Sequence, residues 1–148
     1  MRYMAIVKND PQSEQMEMPD EVMTQMFAAM ADYNEQLAEA GVMIGGEGLL
    51  PSTKGFKVRF DGGDTLVTDG PFTESKELIA GWWLLEVDSR EEALEWISKA
   101  PFAQSPEPVE LEVRQVADDE DFGAAFTPEL REQEARIREK VRANAAAR

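Results

Sequence analysis

The sequence predicts an α+β fold, a ferredoxin-like sandwich in which helices cover one face of an antiparallel sheet. Strand and helix patterns follow one another in the order strand, helix, strands, strand, helix, strand. With short connections and right-handed crossovers, this order gives two βαβ-like halves around a central hairpin. In addition, the segment 81–87 carries large apolar side chains on both of its faces: Trp82 and Leu84 on one, and Trp83, Leu85 and Val87 on the other. Both faces of the sheet therefore require burial.

The first half of the chain begins with a short apolar strand at 2–8, followed by a polar loop at 9–18. Pro19 and the two acids after it suit the first turn of a helix. Gly41 is placed to end that helix in a left-handed conformation. The apolar stripe of the helix consists of Val22, Met26, Met30, Tyr33 and Leu37, with Met23 and Phe27 beside it.

The remaining elements follow from the same two periodicities. The alternating segments on either side of residues 61–64 predict a β-hairpin. Ser89 and Glu92 predict a capping box at the start of the second helix. In chain order, these predicted elements are strands at 42–50, 56–60, 65–68 and 81–87, a helix at 90–99, a strand at 109–116 and an extra C-terminal helix from Thr127 towards Asn144.

The two faces of the strongest strand predict a homodimer. Trp82 and Leu84 share one face of this strand, and Trp83, Leu85 and Val87 share the other. Because helices cover only one face of a ferredoxin-like sheet, the second face would be wet in a monomer. We therefore expect two copies to pack face to face around a central cavity. The alternative is a monomer with one exposed aromatic residue.

The composition restricts the chemistry that the chain can perform. Its 148 residues include no Cys and no His. Disulfides, thiolate nucleophiles, a Ser-His-Asp triad and a HExxH zinc site are therefore excluded. The acidic run at 118–121 lacks the spacing of a calcium loop, and no GxGxxG or Walker sequence is present. We predict neither a bound metal nor a cofactor.

The charge and hydropathy of the chain indicate its partners and location. A net charge of −15 disfavours nucleic acids and anionic membranes as partners. No apolar run approaches the roughly 18 residues of a membrane-spanning helix. The N-terminal apolar stretch is interrupted too early for a secretory signal. The sequence therefore predicts a cytoplasmic protein.

The segment DGPFTESKE at 69–77, followed by AGWWLLEV at 80–87, resembles the DGPF family of YCII-related proteins. RYMAIVKND, AGVMIGGEGL, EALEW and VELEVRQV look like landmarks of the same family in the expected order. The resemblance covers residues 1–117 and leaves 118–148 as an acidic linker with a helical extension. It implies a dimeric α+β barrel of a mostly uncharacterised bacterial family, some members of which are encoded near extracytoplasmic-function sigma factors.

The resemblance also implies where this chain departs from its family. In the YCII branch, the implied active site consists of a histidine and an aspartate. Counting back from Gly41, the position of that histidine corresponds to Met30 here, with Tyr33 one turn later. Histidine-dependent chemistry does not carry over to this chain, whereas the pocket and Asp69 do.

Two carboxylates are candidate catalytic groups. Asp69 precedes Gly-Pro at the junction of a strand and a turn, where it either accepts a proton, if burial raises its pKa, or caps the turn. Glu47 lies between Gly46 and Gly48, which leave space for a ligand; the alternative is a solvent-facing glutamate. If both carboxylates share a pocket, repulsion raises the pKa of one of them and allows acid–base chemistry.

Four further residues are candidate ligand contacts: Tyr33, Arg59, Phe72 and Trp82. Tyr33 belongs either to the core or to the mouth of the barrel. Arg59 faces away from the apolar residues of its strand, where it binds a ligand carboxylate or pairs with a neighbouring acid. Phe72 belongs to the DGPF motif, and Trp82 is either a pocket wall or part of the dimer interface.

Three functions remain open at this point. The missing histidine favours a small-molecule-binding protein without turnover. The second is an enzyme on a small organic acid or lactone-like substrate, with Asp69 or Glu47 as the base and Arg59 as the anion clamp; barrels of the muconolactone isomerase type support it by analogy. The third is an interaction protein whose acidic surface binds a basic partner, such as a region of a sigma factor.

Overall fold

The computed structural model describes residues 1–103, 105 and 107–147. The chain forms two compact units, Met1–Val116 and a second that begins at Ala117. The strands are β1 (Arg2–Lys8), β2 (Met43–Gly48), β3 (Phe56–Asp61), β4 (Asp64–Asp69), β5 (Ile79–Glu86) and β6 (Leu111–Gln115), and the helices are α1 (Pro11–Gln15), α2 (Asp20–Glu39), α3 (Arg90–Ile97) and α4 (Pro128–Ala146).

The sheet has the topology that the sequence predicts. Four strands pair antiparallel in the order β2-β5-β1-β6. This is the ferredoxin-like order, with the hairpin β3-β4 inserted between the second and third strands of the sheet as a separate two-stranded unit. The predicted α+β fold class is confirmed.

The core lies between one face of the sheet and the helices α2 and α3. On β5, Trp83 and Leu85 are buried on this helix-covered face, and on β1 it is Ala5 and Val7 that are buried. Leu37 of α2 contributes one of the largest fully buried side chains. Trp82 and Leu84 lie on the second face of the sheet, as the alternation predicts.

The apolar stripe of α2 is buried only in its second half. Tyr33 and Leu37 belong to the core, but Val22, Met26 and Phe27 are exposed, and Phe27 retains 58% of its accessible surface. The predicted end of the helix is correct, because Gly41 follows it with a φ of +71°.

Helix α1 lies in the segment predicted as a loop. Asp10 caps it: the carboxylate accepts hydrogen bonds from the Ser13 hydroxyl at 2.6 Å and from the backbone N–H groups of Gln12 and Ser13 at 2.8 and 3.0 Å. These bonds, foremost that from the Ser13 hydroxyl, lower the pKa of Asp10. The cap signal, Asp followed by Pro11, is present in the sequence.

The predicted cap of α3 forms in a modified way. The Ser89 hydroxyl accepts a hydrogen bond from the backbone N–H of Glu92 at 3.1 Å. The Glu92 carboxylate accepts from the backbone N–H of Asp88 at 2.7 Å, one residue earlier than in a standard capping box.

The second unit contains a short 3₁₀ segment, Asp119–Ala125, and α4. The predicted C-terminal helix forms and runs to Ala146, with the Thr127 hydroxyl accepting from the backbone N–H of Leu130. Arg138 donates to Asp119 at 2.5 Å, and this bond raises the pKa of Arg138. In the described part of the chain, no helix is both long enough and apolar enough to cross a bilayer.

Candidate functional site

A cavity of about 550 Å³ lies between residues 26–34 of α2 and the adjoining ends of β2 and β5. Its walls are mainly apolar and aromatic. They include Met26, Phe27, Met30, Trp82, Trp83 and Phe102, together with the polar residues Asn34 and Glu47. The exposed start of the α2 stripe therefore forms one wall of a ligand-sized space.

Three glycines explain why the space exists. Gly46 pairs with Trp83 and Gly48 pairs with Gly81 across β2 and β5, so all three glycines are on the helix-covered face. A Cβ atom at Gly46 would lie 2.9 Å from the Trp83 ring, whereas a Cβ atom at Gly48 would meet nothing within 4 Å. At these three positions the sheet provides no side chain, and the space around Gly48 is open.

The aromatic wall of the cavity is held by a polar contact. The indole N–H of Trp83 donates to the Asn34 Oδ1 atom at 2.8 Å. The Trp83 ring also contacts Tyr33 and Phe102 edge-on, at centroid distances of 5.5 and 6.3 Å. These contacts fix the ring plane that faces the cavity. Asn34 and Phe102 are not predicted from the sequence, because neither stands in a pattern that marks a site.

Two of the candidate site residues come together at this cavity. Glu47 and Trp82 are directly opposite each other on β2 and β5, and both line the cavity. By strand alternation, the side chains of Glu47 and Trp82 project from the second face of the sheet, away from α2. The two residues therefore lie at the border of the cavity, at the level of the sheet. Glu47 is exposed.

Phe72 lies elsewhere, at a smaller cavity of about 370 Å³ that Glu14, Ser52 and Gly55 also line. Its backbone N–H donates to the buried Ser52 hydroxyl at 3.0 Å. Ser52 in turn donates to Glu14 through its hydroxyl at 2.5 Å and its backbone N–H at 2.9 Å. Gly70 packs against the same turn. The DGPF motif thus joins the hairpin to the loop before it.

The other three candidates lie apart from the larger cavity. Asp69 is exposed at the end of β4, opposite Phe56. Arg59 is exposed on the hairpin and donates to Asp61 at 3.0 Å. The buried Tyr33 hydroxyl donates to the Trp96 carbonyl oxygen at 3.1 Å. The catalytic and ligand-binding roles of these residues stay predictions.

Tyr33 leads to a prediction about pH. Burial raises the pKa of Tyr33 to about 12, against about 10 in an unfolded chain. Its contribution to stability is therefore complete below about pH 10, and about 2–3 kcal/mol is lost as the pH rises from about 10 to about 12. We expect denaturant unfolding to show this decline in the wild type and a smaller decline in Tyr33→Phe. Parallel curves for the two proteins would contradict it.

Comparison with known proteins gives three results. The family model of the YCII-related domain matches residues 1–118. An uncharacterised protein of Rhizobium meliloti (strain 1021) is 34% identical over 98 residues, which is 66% of this chain and 75% of the relative. A 5-chloro-2-hydroxyhydroquinone dehydrochlorinase from Burkholderia phenoliruptrix AC1100, solved with 2,5-dihydroxybenzoquinone, superposes with a TM-score of 0.46 at 19% identity, covering 79% of this chain and 94% of that one.

Proposed function

The chain belongs to the YCII-related domain family, and on this premise we propose that it is a homodimeric protein that binds a small molecule in the cavity beside α2, without histidine-based catalysis. The observation that carries the proposal is the cavity itself. Its volume of about 550 Å³ falls within the range of roughly 300–1,000 Å³ that is usual for ligand pockets. Apolar and aromatic walls with few polar groups are also typical of such pockets.

Closing the cavity at Gly48 tests this proposal. A valine there has room for its side chain, because a Cβ atom meets no atom within 4 Å, and valine suits a strand. We expect Gly48→Val to lower the affinity for a bound small aromatic compound at least about tenfold, which is about 1.4 kcal/mol. We expect the melting temperature of the unliganded protein to change by less than about 4 °C.

Calorimetric titration and thermal shift of both proteins provide the measurement. In the wild type, a ligand at a hundred times its dissociation constant should add about 2.7 kcal/mol, a rise of roughly 5–10 °C. Thr65→Val, a substitution on the exposed hairpin, is the matched control and should bind as the wild type does. Equal affinity in Gly48→Val and the wild type would place the ligand outside this cavity.

The dimer is proposed on the second face of the sheet. Met4 and Ile6 of β1 lie there beside Trp82 and Leu84 of β5, and all four are half-buried. The polar residues of this face lie at its edge, where Glu112 pairs with basic side chains of β1 and β6. An apolar centre with a polar rim is the usual anatomy of a protein interface. Because a two-fold interface is self-complementary, a second copy supplies a matching apolar face.

One observation favours the enzyme as a second candidate. Glu47 is among the residues that line the cavity, and a base at this position would act from its border, because the side chain projects from the second face of the sheet. Arg59, which the hypothesis assigns as an anion clamp, instead pairs with Asp61 on the hairpin. The partnership with a sigma-factor region rests on the acidic composition and the family resemblance alone. The bacterial source, the cytoplasmic location and the division at residue 118 likewise stay predictions from the sequence.

A further inference from the structure

The hydrogen bond from Trp83 fixes which end of the Asn34 amide faces the indole. An indole N–H can only donate a hydrogen bond, so the Asn34 oxygen, and not its nitrogen, must face Trp83. The Nδ2 group therefore points away from Trp83 with two N–H donors. Within the described part of the chain, Trp83 is the one residue that forms a hydrogen bond with the Asn34 side chain. Asn34 is half-buried and lines the cavity.

The remaining walls on the helix-covered side are apolar. The side chains there come from Met26, Phe27, Met30, Trp83 and Phe102 and from smaller apolar residues. The Glu47 side chain projects from the opposite face of the sheet. Of the described residues that line this space, none is Lys or Arg. Asn34 is therefore the polar side chain that a molecule entering from the α2 side meets.

The electrostatics exclude one class of ligand. An anion in this cavity would lose its hydration without meeting a cationic side chain, which is costly in an apolar space. The chain also carries a net charge of −15, which repels anions at long range. A neutral molecule avoids both costs. Moreover, an acceptor oxygen on that molecule would pair with the Nδ2 donors of the half-buried Asn34 side chain.

We propose that this cavity selects a neutral, flat and mainly apolar molecule whose carbonyl oxygen accepts a hydrogen bond from the Asn34 Nδ2 group. The ring of the molecule packs against Trp83 and Phe102. Asn34 is thus a specificity-determining residue, oriented by the same Trp83 that forms the wall. This inference rests on the proposed function, since it requires that the cavity binds a small molecule.

The test compares three probes of similar size by calorimetric titration: 1-tetralone, a neutral ketone; tetralin, the same ring system without oxygen; and 1-naphthoate, an anion. We expect the wild type to bind the ketone about tenfold more tightly than either of the others, the ratio that one net hydrogen bond of about 1.4 kcal/mol supplies. This comparison requires no variant.

Asn34→Asp isolates the donor. The carboxylate still accepts from the Trp83 indole but cannot donate. We expect the ratio of ketone affinity to tetralin affinity to fall from about ten in the wild type to about one in this variant, because the cost of desolvating the new carboxylate weakens both probes alike. Asn144→Asp makes the same change on an exposed position of α4 and should bind as the wild type does. The indole N–H resonance of Trp83 reports whether its hydrogen bond is retained.

The outcomes separate the two proposals. If the wild type binds ketone and hydrocarbon equally, or prefers the naphthoate, the inference about Asn34 is wrong while the binding function stands. The same holds if Asn34→Asp keeps its preference for the ketone. If none of the three probes binds the wild type at millimolar concentration, both the inference and the proposed binding of such molecules are contradicted.

Discussion

Replacing Gly70 with alanine should destabilise the first unit by about 3 kcal/mol or more, beyond the usual cost of one extra buried methyl group. A Cβ atom there would lie 1.8 Å from the Ser52 carbonyl oxygen and 2.6 Å from its carbonyl carbon. These are backbone atoms, so no rotamer change relieves the clash. The motif would have to leave the turn, losing the Gly70 N–H bond to Gly55 and the Phe72 N–H bond to Ser52.

This effect is measured by comparing the melting temperature of Gly70→Ala with those of the wild type and of a second glycine-to-alanine variant. At about 2–4 °C per kcal/mol, the melting temperature should fall by roughly 10 °C. Gly48→Ala is the matched control, because its added Cβ meets nothing within 4 Å, and it should melt within about 2–4 °C of the wild type. Equal melting temperatures for the two variants would show that the turn at Ser52 yields to the added carbon.

Replacing Leu84 with arginine should dissociate the proposed homodimer. Leu84 lies among the apolar residues of the second face, on the opposite side of β5 from the core. A two-fold interface would bury two guanidinium groups without partners, which costs several kcal/mol per ion. The folded unit should survive, because the buried residues Trp83 and Leu85 on the other side of the strand are untouched.

Light scattering at micromolar concentration measures the mass of each protein. The wild type should have twice the chain mass of 16.6 kDa, and Leu84→Arg should have 16.6 kDa. Leu94→Arg, at an exposed leucine of α3, makes the same substitution on the helical side and should remain a dimer. A wild-type mass of 16.6 kDa would contradict the dimer. If Leu84→Arg and Leu94→Arg both remain dimers, the interface lies on another surface.

Residues 69–87, which carry the family resemblance, have two different structural roles. Gly70 and Phe72 of the DGPF motif hold the hairpin to the Ser52 turn. The segment after the motif, by contrast, supplies both faces of β5 and one wall of the cavity. The close approach of Gly70 to the Ser52 carbonyl accounts for the glycine, and the backbone N–H of Phe72 contributes to the same anchor. The catalytic role of Asp69 remains a prediction that these contacts do not require.

Much of the fold was predictable because its signals are local. Side-chain alternation along β5 separates Trp82 and Leu84 from Trp83 and Leu85, and this follows from the period of two of any strand. The helical period likewise identifies α2, and Gly41 marks its end. The order of the elements then restricts the topology to a few possibilities, of which the ferredoxin-like one is observed.

Other features were decided by the tertiary structure alone. Glu14 binds Ser52 across 38 residues of chain, and no periodicity indicates such a pair. Half of the α2 stripe is left uncovered because the facing positions of β2 and β5 are glycines. Strand register determines which positions face each other, and the sequence pattern does not reveal that register. The resulting cavity joins Glu47, Trp82 and Asn34.

For the candidate site residues too, the sequence indicates local features and only the fold decides which residues come together. The glycines around Glu47 indicated local space, and the cavity opens there at Gly48. The separation of Asp69 and Arg59 from that cavity could not be read from spacing, because it depends on where the β3-β4 hairpin stands relative to the sheet. Local geometry determines which elements form and which side each residue faces. The path of the chain between elements determines which of those sides meet, and only the folded molecule contains that information.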